Sequence, residues 1–183
     1  MDQREKNSNQ LNLIRQDNYH CTACPSRKKC KQVTVGFGSL TPQVMIIGDQ
    51  PTINDTLCGQ PFSGRHRDLL NIFLEEANLH ISQVYSTYIL KCPGLTKQNL
   101  NNCTKWLDKE IAHIQPKVYI LMGRISANYL LNRPINSNIG EIVYQWFDNK
   151  LVVYNTTYLL NNYQEIEKTK IIFKTISNKL EKL

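Results

Sequence analysis

Residues 43–51 read QVMIIGDQP and residues 117–123 read KVYILMG, and these two stretches decide the fold. Each holds a short, continuous apolar run that ends in glycine, without the alternation of polar and apolar residues typical of a half-exposed strand. Such runs indicate parallel strands that helices cover on both faces. Amphipathic stretches such as RDLLNIFLEEANL, at residues 67–79, lie between them. This order predicts a three-layer α/β domain with a parallel sheet in the middle.

The length and composition bound what the protein can be. A chain of 183 residues has room for one ordinary domain, so we expect a single domain over residues 1–183 with a flexible start at residues 1–10. Hydrophobic residues make up 41% of the chain and charged residues 20%, which is a globular rather than a disordered composition. There is no apolar run of membrane-spanning length and no secretory signal, which predicts a cytoplasmic protein and excludes a membrane enzyme.

The formal net charge of +7 indicates an acidic partner, because such a field attracts nucleic acid or anionic lipid. Seven basic and three acidic residues lie in the first 40 positions, so more than half of the excess is there. One basic group follows the first cysteines and a second opens the helix after the sequence PFSG. The alternative for each group is a solvated face. The candidate contacts to phosphate are Arg27, Lys28, Lys29, Arg65 and His66.

Polar residues follow the predicted strands. In an open parallel sheet, ligands bind in the crevice outside the carboxyl ends of the strands. Asp49 and Gln50 follow the first apolar run, the second run leads to Cys92, and the last leads to Asn155. We therefore expect a site formed by these positions.

The six cysteines favour a metal site over disulfides, because the chain is too long to need staples and has no export signal. A C-x-x-C pair can reach one metal, and a thioredoxin-like site is disfavoured because the pair precedes the first strand. Four thiolates would complete the shell of an iron–sulfur cluster or, as a second choice, of zinc. The alternative is reduced structural cysteines. The four ligands that we favour are Cys21, Cys24, Cys92 and Cys103, with Cys30 a fifth candidate and Cys58 unpaired.

Several separated motifs occur in an order that resembles the iron–sulfur uracil-DNA glycosylases, often called family 4. They read CTACPSRKKCKQVTVGFGSLTPQVMIIGDQP at 21–51, GQPFSGRHRDLL at 59–70, YSTYILKCPG at 85–94, CTKWLDKEIAHIQPKVYILMGRISANYLL at 103–131 and VVYNTTYLLNN at 152–162. The resemblance implies a Rossmann-like sheet of four parallel strands, a 4Fe-4S cluster on the four favoured cysteines, and a pocket for a base flipped out of DNA.

The resemblance also implies roles for individual residues. The motif G-E-x-P-G reads GDQPT here, so Asp49 would position or deprotonate the water and stabilise positive charge on the deoxyribose. The alternative for Asp49 is a turn cap. Gln50 is shared with a branch reading G-E-Q-P-G that crosslinks to DNA, but no suitably placed histidine follows. Phe62 would stack on the base, a contact worth about 1–3 kcal/mol, and otherwise would be a core residue.

The sequence departs from the family at two positions that matter for chemistry. Tyr88 stands where the pattern Y-x-T-N-x-x-K-C has the asparagine that reads uracil, and a phenol cannot offer the bidentate geometry of an amide. Asn155 replaces the histidine of H-P-S, which donates a hydrogen bond to the leaving base, and an amide N–H can still donate. Thr157 and Tyr158 follow, on the loop expected to meet the DNA groove.

Two functions remain open. One is a glycosylase that hydrolyses the bond between deoxyribose and a damaged base, for which Asp49 and Phe62 argue. The other is a non-catalytic DNA-binding module of a replication or repair complex, for which Tyr88 and Asn155 argue. A third and more distant interpretation is a zinc-bound α/β regulator without a base pocket.

Overall fold

A computed structural model describes residues 3–134 and 144–183. The strands are β1 (Phe37–Gly38), β2 (Val44–Gly48), β3 (Val84–Tyr88), β4 (Val118–Met122), β5 (Gln145–Phe147) and β6 (Lys150–Val153). The helices are α1 (Gln3–Tyr19), α2 (Ile53–Cys58), α3 (Arg65–Glu76), α4 (Lys97–Ile114), α5 (Arg124–Leu131), α6 (Thr156–Leu160) and α7 (Tyr163–Glu181). Short 3-10 helices cover Pro25–Lys29 and Ile81–Gln83.

The strands that the structure describes form one sheet in the order β1-β3-β2-β4-β6-β5. The four middle strands run parallel, as the sequence predicts. Two short antiparallel strands add to the edges, so the sheet has six strands rather than the expected four. Both edge strands are only two or three residues long, which is too short for a hydrophobic period to be recognised in the sequence.

Helices cover both faces of the sheet, which confirms the three-layer architecture. Side chains of β2 alternate between two cores: Val44 and Ile46 pack with α3, α6 and α7, while Met45 and Ile47 pack with α1, α4 and α5. All four are fully buried. Each contributes about 1.5–3 kcal/mol of hydrophobic stabilisation. The apolar runs are continuous rather than alternating because both faces of the strand are buried.

Helix α1 begins at Gln3, so residues 3–10, which the sequence predicts to be flexible, lie in the first turns of a helix. Leu11 and Ile14 anchor α1 to the sheet through the core that it shares with α4. The single-domain boundary over residues 1–183 stays a prediction. Among the helices that the structure describes, none combines the length and the apolar character needed to cross a membrane.

Three helices begin beside the carboxyl ends of the parallel strands, where a binding crevice is expected. Helix α2 is capped by Thr52 and α6 by Asn155, each through a side-chain oxygen that accepts a backbone N–H. Helix α5 follows Gly123, whose φ of +131° is a conformation that side chains with a Cβ rarely adopt. The connections from β2, β4 and β6 into helices thus converge on one region.

Candidate active site and cysteine cavity

A cavity of about 260 Å³ lies at the carboxyl ends of the parallel strands. Every strand of the parallel core contributes to its lining, either with its last residue or with the residues that follow. The structure therefore brings together Asp49, Gln50 and Asn155, three of the strand-end positions that the sequence singles out, while Cys92 lines a separate cavity. The lining residues include Gly48, Asp49, Gln50, Thr52, Phe62, Tyr88, Leu95, Met122, Asn155, Thr156 and Thr157.

The Asp49 carboxylate is held at the mouth of β2 by the start of α5. The backbone N–H of Ser126 donates to Asp49 Oδ1 at 2.8 Å. A Cβ at Gly123 would collide with the same carboxylate, so only glycine leaves room for it there. Burial raises the pKa of Asp49, while hydrogen bonds from Ser126 and Ile125 and the charge of Arg124 act in the opposite direction. An oriented carboxylate with a raised pKa is suited to accept a proton from water near neutral pH.

Asn155 faces the same cavity from the end of β6. Its Oδ1 accepts the backbone N–H of Tyr158 at 2.8 Å and so caps α6. This bond fixes the amide, because only the oxygen can accept from a backbone N–H, and the –NH2 group remains for another partner. A donor at this position can stabilise the negative charge that develops on a leaving base.

Phe62 and Tyr88 pack against each other on the pocket floor, with ring centroids 4.7 Å apart and planes at 35°. Both rings are nearly fully buried, and Phe62 has a φ of +53°. The backbone N–H of Phe62 donates to the Tyr88 hydroxyl at 3.1 Å. Phe62 thus lines the cavity and also belongs to the buried core, and Tyr88 packs against its ring at the position where the motif Y-x-T-N-x-x-K-C has an asparagine. Base stacking on Phe62 stays a prediction.

Asp55 organises the pocket floor, and the sequence reasoning missed it. Its fully buried carboxylate accepts hydrogen bonds from the backbone N–H and the hydroxyl of Thr52, both at 2.8 Å. It also accepts the N–H and hydroxyl of Ser63, both at 2.7 Å, and the hydroxyl of Tyr88 at 3.0 Å. Burial raises the pKa of Tyr88 above its usual value, and the negative charge of Asp55 raises it further. The Thr-x-x-Asp capping spacing was the one available signal for Asp55.

The residues predicted to contact DNA have different environments. Lys28, Lys29, Arg65 and Thr157 are exposed. Arg27 donates to the carbonyl of Cys30 at 2.9 Å. The half-buried His66 bonds Thr156 Oγ1 through Nδ1 at 2.8 Å, and burial lowers its pKa, which favours the neutral ring.

The segment after β6, which the sequence predicts to be a loop, forms the short helix α6 and is packed rather than projecting. Tyr158 lies against Tyr154 with ring centroids 4.4 Å apart, and Leu159 is fully buried. Within α6, Thr157 is the exposed side chain. The assignment of DNA contacts to Thr157 and Tyr158, and to the basic residues, stays a prediction.

Four cysteines from distant parts of the sequence line one cavity. They are the four that the spacing favours: Cys21, Cys24, Cys92 and Cys103. Burial raises the pKa of Cys103, and the neighbouring Cys24 and Cys21 add to the shift. The Cys30 thiol donates to the carbonyl of Gln32 at 3.0 Å. Cys30 also lines an adjacent groove. A hydrogen bond with Cys30 raises the pKa of Cys92. Cys58 is exposed on α2.

A buried amide supports the fit of an inorganic group to this cavity. Asn18 lines the cavity and is 1% exposed, yet neither its nitrogen nor its oxygen has a hydrogen-bond partner among the described residues. An unpaired buried amide costs about 1–3 kcal/mol, which a bound group with sulfur acceptors would recover. In the part of the chain that the structure describes, no three His, Cys, Asp or Glu side chains are arranged to hold a single metal ion.

A turn at Gly94 links the cysteine cavity to the pocket. The Gly94 carbonyl accepts from Asn99 Nδ2 at 2.7 Å and from the Ser26 hydroxyl at 3.3 Å, and both of these side chains line the cysteine cavity. The Gly94 N–H donates to Gln50 Oε1 at 3.1 Å, and Gln50 lines the pocket. Gly94 has a φ of +108°, and a Cβ there would collide with Ser26.

A buried ion pair lies behind both sites. Lys91 Nζ and Glu110 Oε2 are 2.7 Å apart, with side chains only 1% and 2% exposed. Thr87 Oγ1 bonds both groups, and the N–H of Gly36 donates to Glu110 Oε1 at 3.2 Å. The backbone N–H of Lys91 also donates to the sulfur of Cys103 at 3.3 Å. The pair therefore fixes α4, which carries Cys103, against the end of β3.

The similarity to known proteins covers the whole sheet and the residues that line the pocket. Residues 35–181 match the profile described as UDG: Uracil DNA glycosylase superfamily. A Type-4 uracil-DNA glycosylase of Thermotoga maritima is 28% identical over 173 residues, which cover 84% of this chain and 90% of that protein. The Type-4 uracil-DNA glycosylase of Saccharolobus solfataricus is 29% identical over 160 residues, which cover 80% of this chain and 74% of that protein. The one of Archaeoglobus fulgidus is 27% identical over 117 residues, which cover 61% of this chain and 59% of that protein. The motifs, the fold and these matches agree, and the chain belongs to the uracil DNA glycosylase superfamily.

Proposed function

We propose that this protein is a DNA glycosylase that hydrolyses the N-glycosidic bond of a base flipped out of DNA. The observation that carries the proposal is that Asp49 and Asn155 line one cavity at the carboxyl ends of β2 and β6. The names of the relatives, Type-4 uracil-DNA glycosylases, make uracil the first substrate to test.

The chemistry follows from the two side chains. As the bond between C1′ and the base nitrogen breaks, its electron pair leaves with the base and positive charge develops on the sugar. The Asp49 carboxylate stabilises that charge, orients a water toward C1′ and accepts its proton. The –NH2 group of Asn155 donates to an oxygen of the departing base, where negative charge accumulates.

The basic residues support DNA as the partner. The exposed Lys28, Lys29 and Arg65 can neutralise phosphates without reading sequence, which makes binding salt-dependent. Thr157 is exposed at the pocket, and in this proposal it contacts the strand that carries the flipped base.

We further propose that Cys21, Cys24, Cys92 and Cys103 hold a 4Fe-4S cluster, with zinc as the alternative. The four thiols share a cavity, and the unpaired amide of Asn18 faces the same space. The cluster would tie the segment before β1 to the segment after β3 and so hold the turn at Gly94 in place. Anaerobically purified protein should be brown and contain nearly four irons per cluster site. Colourless protein with bound zinc would refute the cluster.

A second candidate function is a DNA-binding module without catalysis. The observation that favours it is Tyr88, whose ring occupies the pocket floor and whose hydroxyl bonds Asp55. In this case the protein would bind DNA through the same basic residues and cleave no base.

One experiment separates the two functions. Oligonucleotides that carry uracil, hypoxanthine or a thymine mismatch, in single and double strands, are incubated with the protein, and abasic sites are then cleaved with alkali. We expect strand breaks that disappear in Asp49→Ala. Tight DNA binding without cleavage of any substrate would reject the glycosylase and leave the binding module.

A further inference from the structure

A second open groove, of about 480 Å³, lies where α1 runs into the cysteine segment. Its lining includes Tyr19, the last residue of α1, together with His20, Arg27 and Lys28, and we call it the Tyr19 groove. It shares no lining residue with the pocket at the strand ends. The chemistry of the pocket therefore gives this groove no role.

Two aromatic rings line the Tyr19 groove and remain open to solvent. Tyr19 is 49% exposed, and His20 is exposed as well. Their ring centroids are 5.4 Å apart with planes at 85°, so the edge of one ring meets the face of the other. Such a contact covers one face of one ring at most and leaves aromatic surface for another flat group. An uncovered aromatic face is a surface on which a nucleic-acid base can stack.

Basic side chains line the same groove. The Arg27 guanidinium donates through Nη1 to the carbonyl of Cys30 at 2.9 Å, which fixes the guanidinium and uses one of its five N–H donors. Lys28 is exposed to solvent. The lining that the structure describes contains no Asp or Glu, so the positive charge is not compensated within the groove. The groove therefore favours an anion, as a phosphate of DNA would be.

Hydrogen bonds connect the Tyr19 groove to the pocket. The 3-10 helix Pro25–Lys29 carries both basic residues, and its Ser26 hydroxyl donates to the carbonyl of Gly94 at 3.3 Å. The Gly94 N–H donates to Gln50 Oε1 at 3.1 Å, and Gln50 lines the pocket. The groove and the pocket are therefore held to each other through one turn. This is the arrangement needed if one strand of DNA is to occupy both.

We propose that the Tyr19 groove binds an unpaired nucleotide of single-stranded DNA, with its base stacked on the Tyr19 ring beside His20 and its phosphate held by Arg27 and Lys28. Inside a duplex both faces of a base are covered by its neighbours, so only an unpaired base can offer a face to the protein. Stacking on an aromatic ring tolerates every base, so the site adds affinity without reading sequence. The proposal rests on the proposed function only in taking DNA as the partner.

Substitutions of exposed side chains test the proposal while leaving the core intact. Tyr19→Ala removes the stacking surface, whereas Tyr19→Phe keeps the ring and loses only the hydroxyl. Lys28→Ala removes one contact to phosphate. Phe37→Ala, on the edge strand β1, and Lys182→Ala, just after α7, are matched controls because both side chains are exposed and neither lines the groove.

The measurement is the affinity of the anaerobically purified protein for an oligothymidine and for an abasic oligonucleotide of equal length. We expect Tyr19→Ala to weaken binding of the oligothymidine about five- to thirtyfold and to leave binding of the abasic strand unchanged. Tyr19→Phe should bind both strands like the unaltered protein. Lys28→Ala should weaken binding of both strands and reduce the slope of log K against log salt concentration by about 0.7.

Three results would overturn the proposal. They are a loss in Tyr19→Ala no larger than that in Phe37→Ala, an equal loss in Tyr19→Ala on the abasic strand, and a loss in Lys28→Ala no larger than that in Lys182→Ala. Neither oligonucleotide carries uracil, so the outcome does not depend on cleavage. A protein with the expected binding but no glycosylase activity would reject the proposed function and retain this site.

Discussion

The hydroxyl of Tyr88 donates a hydrogen bond to the carboxylate of Asp55 across 3.0 Å and closes the floor of the cavity at the strand ends. The same oxygen accepts the N–H of Phe62 at 3.1 Å. With its only proton committed to Asp55, Tyr88 has no donor left for a base. This side chain is therefore part of the fixed floor of the cavity.

Replacing Tyr88 by asparagine should open the floor and restore an amide at the end of β3. We expect Tyr88→Asn to sharpen selectivity for uracil over hypoxanthine, at a cost of about 2–4 kcal/mol of unfolding free energy for the lost buried ring. Tyr88→Phe is the control, because it keeps the ring and removes only the bond to Asp55. Cleavage rates on both substrates, measured in a single turnover, check the prediction. An unchanged substrate profile in Tyr88→Asn would contradict it.

The raised pKa of Asp49 should appear in the dependence of cleavage on pH. The reaction requires the ionised carboxylate, so the rate should fall as the pH decreases through the raised pKa, above the ordinary aspartate value of about 4. Asp49→Asn should lose about 10²–10⁴-fold in rate. Its melting temperature should not decrease, because the folded state no longer contains a desolvated carboxylate. A rate that stays constant down to the ordinary value would argue against Asp49 as the base.

The cavity predicts which of two neighbouring cysteines binds the cluster. Cys103 shares one cavity with Cys21, Cys24 and Cys92, while Cys30 shares the adjacent groove with Cys21 and Cys24 and bonds Cys92. Iron content and visible absorbance should therefore decrease in Cys103→Ser and persist in Cys30→Ser. The reverse pattern would exchange the two assignments.

Replacing Asn18, whose amide has no partner among the described residues, should stabilise the metal-free protein but weaken the binding of iron in the loaded protein. Asn18→Leu removes a buried amide without a partner, so metal-free protein should gain about 1–3 kcal/mol of unfolding free energy. The loaded protein should lose iron faster in air and show a lower reduction potential, since a hydrogen bond to sulfur stabilises the reduced cluster. The exposed Asn12→Leu, also on α1, is the control. Unchanged iron retention and potential in Asn18→Leu would show that the amide does not contact the cluster.

The buried pair of Lys91 and Glu110 should matter far more for stability than a surface pair. Glu110→Gln leaves the Lys91 charge buried without compensation, and we expect a loss of about 3–5 kcal/mol. Glu76→Gln breaks the pair with Lys174, whose side chain is 62% exposed, and should cost less than about 1 kcal/mol. Urea unfolding of the two variants provides the comparison. Equal losses would contradict the prediction.

Much of the site could be predicted because it follows directly from strand ends. The continuous apolar runs located β2 and β4, and the residues that follow a parallel strand must lie at the crevice, which placed Asp49 there. Asn155 lines the same cavity for the same reason, after β6. The four cysteines were selected by motif and spacing, and the structure brings them to one cavity.

Other features depended on which polar groups come within hydrogen-bond distance after folding. Asp55 contacts residues that are three, eight and 33 positions away, and its neighbours in the sequence do not reveal those partners. The edge strands were too short to carry a period, and the packing of Tyr158 against Tyr154 reflects the short helix α6 that follows β6.

The sequence by itself determined the layers of the fold, the order of the motifs and the residues available for chemistry, because apolar periodicity and strand ends are local properties. The tertiary structure decided the state of those residues. It committed Tyr88 to Asp55, fixed the amide oxygens of Gln50 and Asn155 on backbone N–H groups, and buried Asn18 beside the thiols. These outcomes depend on distances between groups far apart in the chain, which only the packed fold defines.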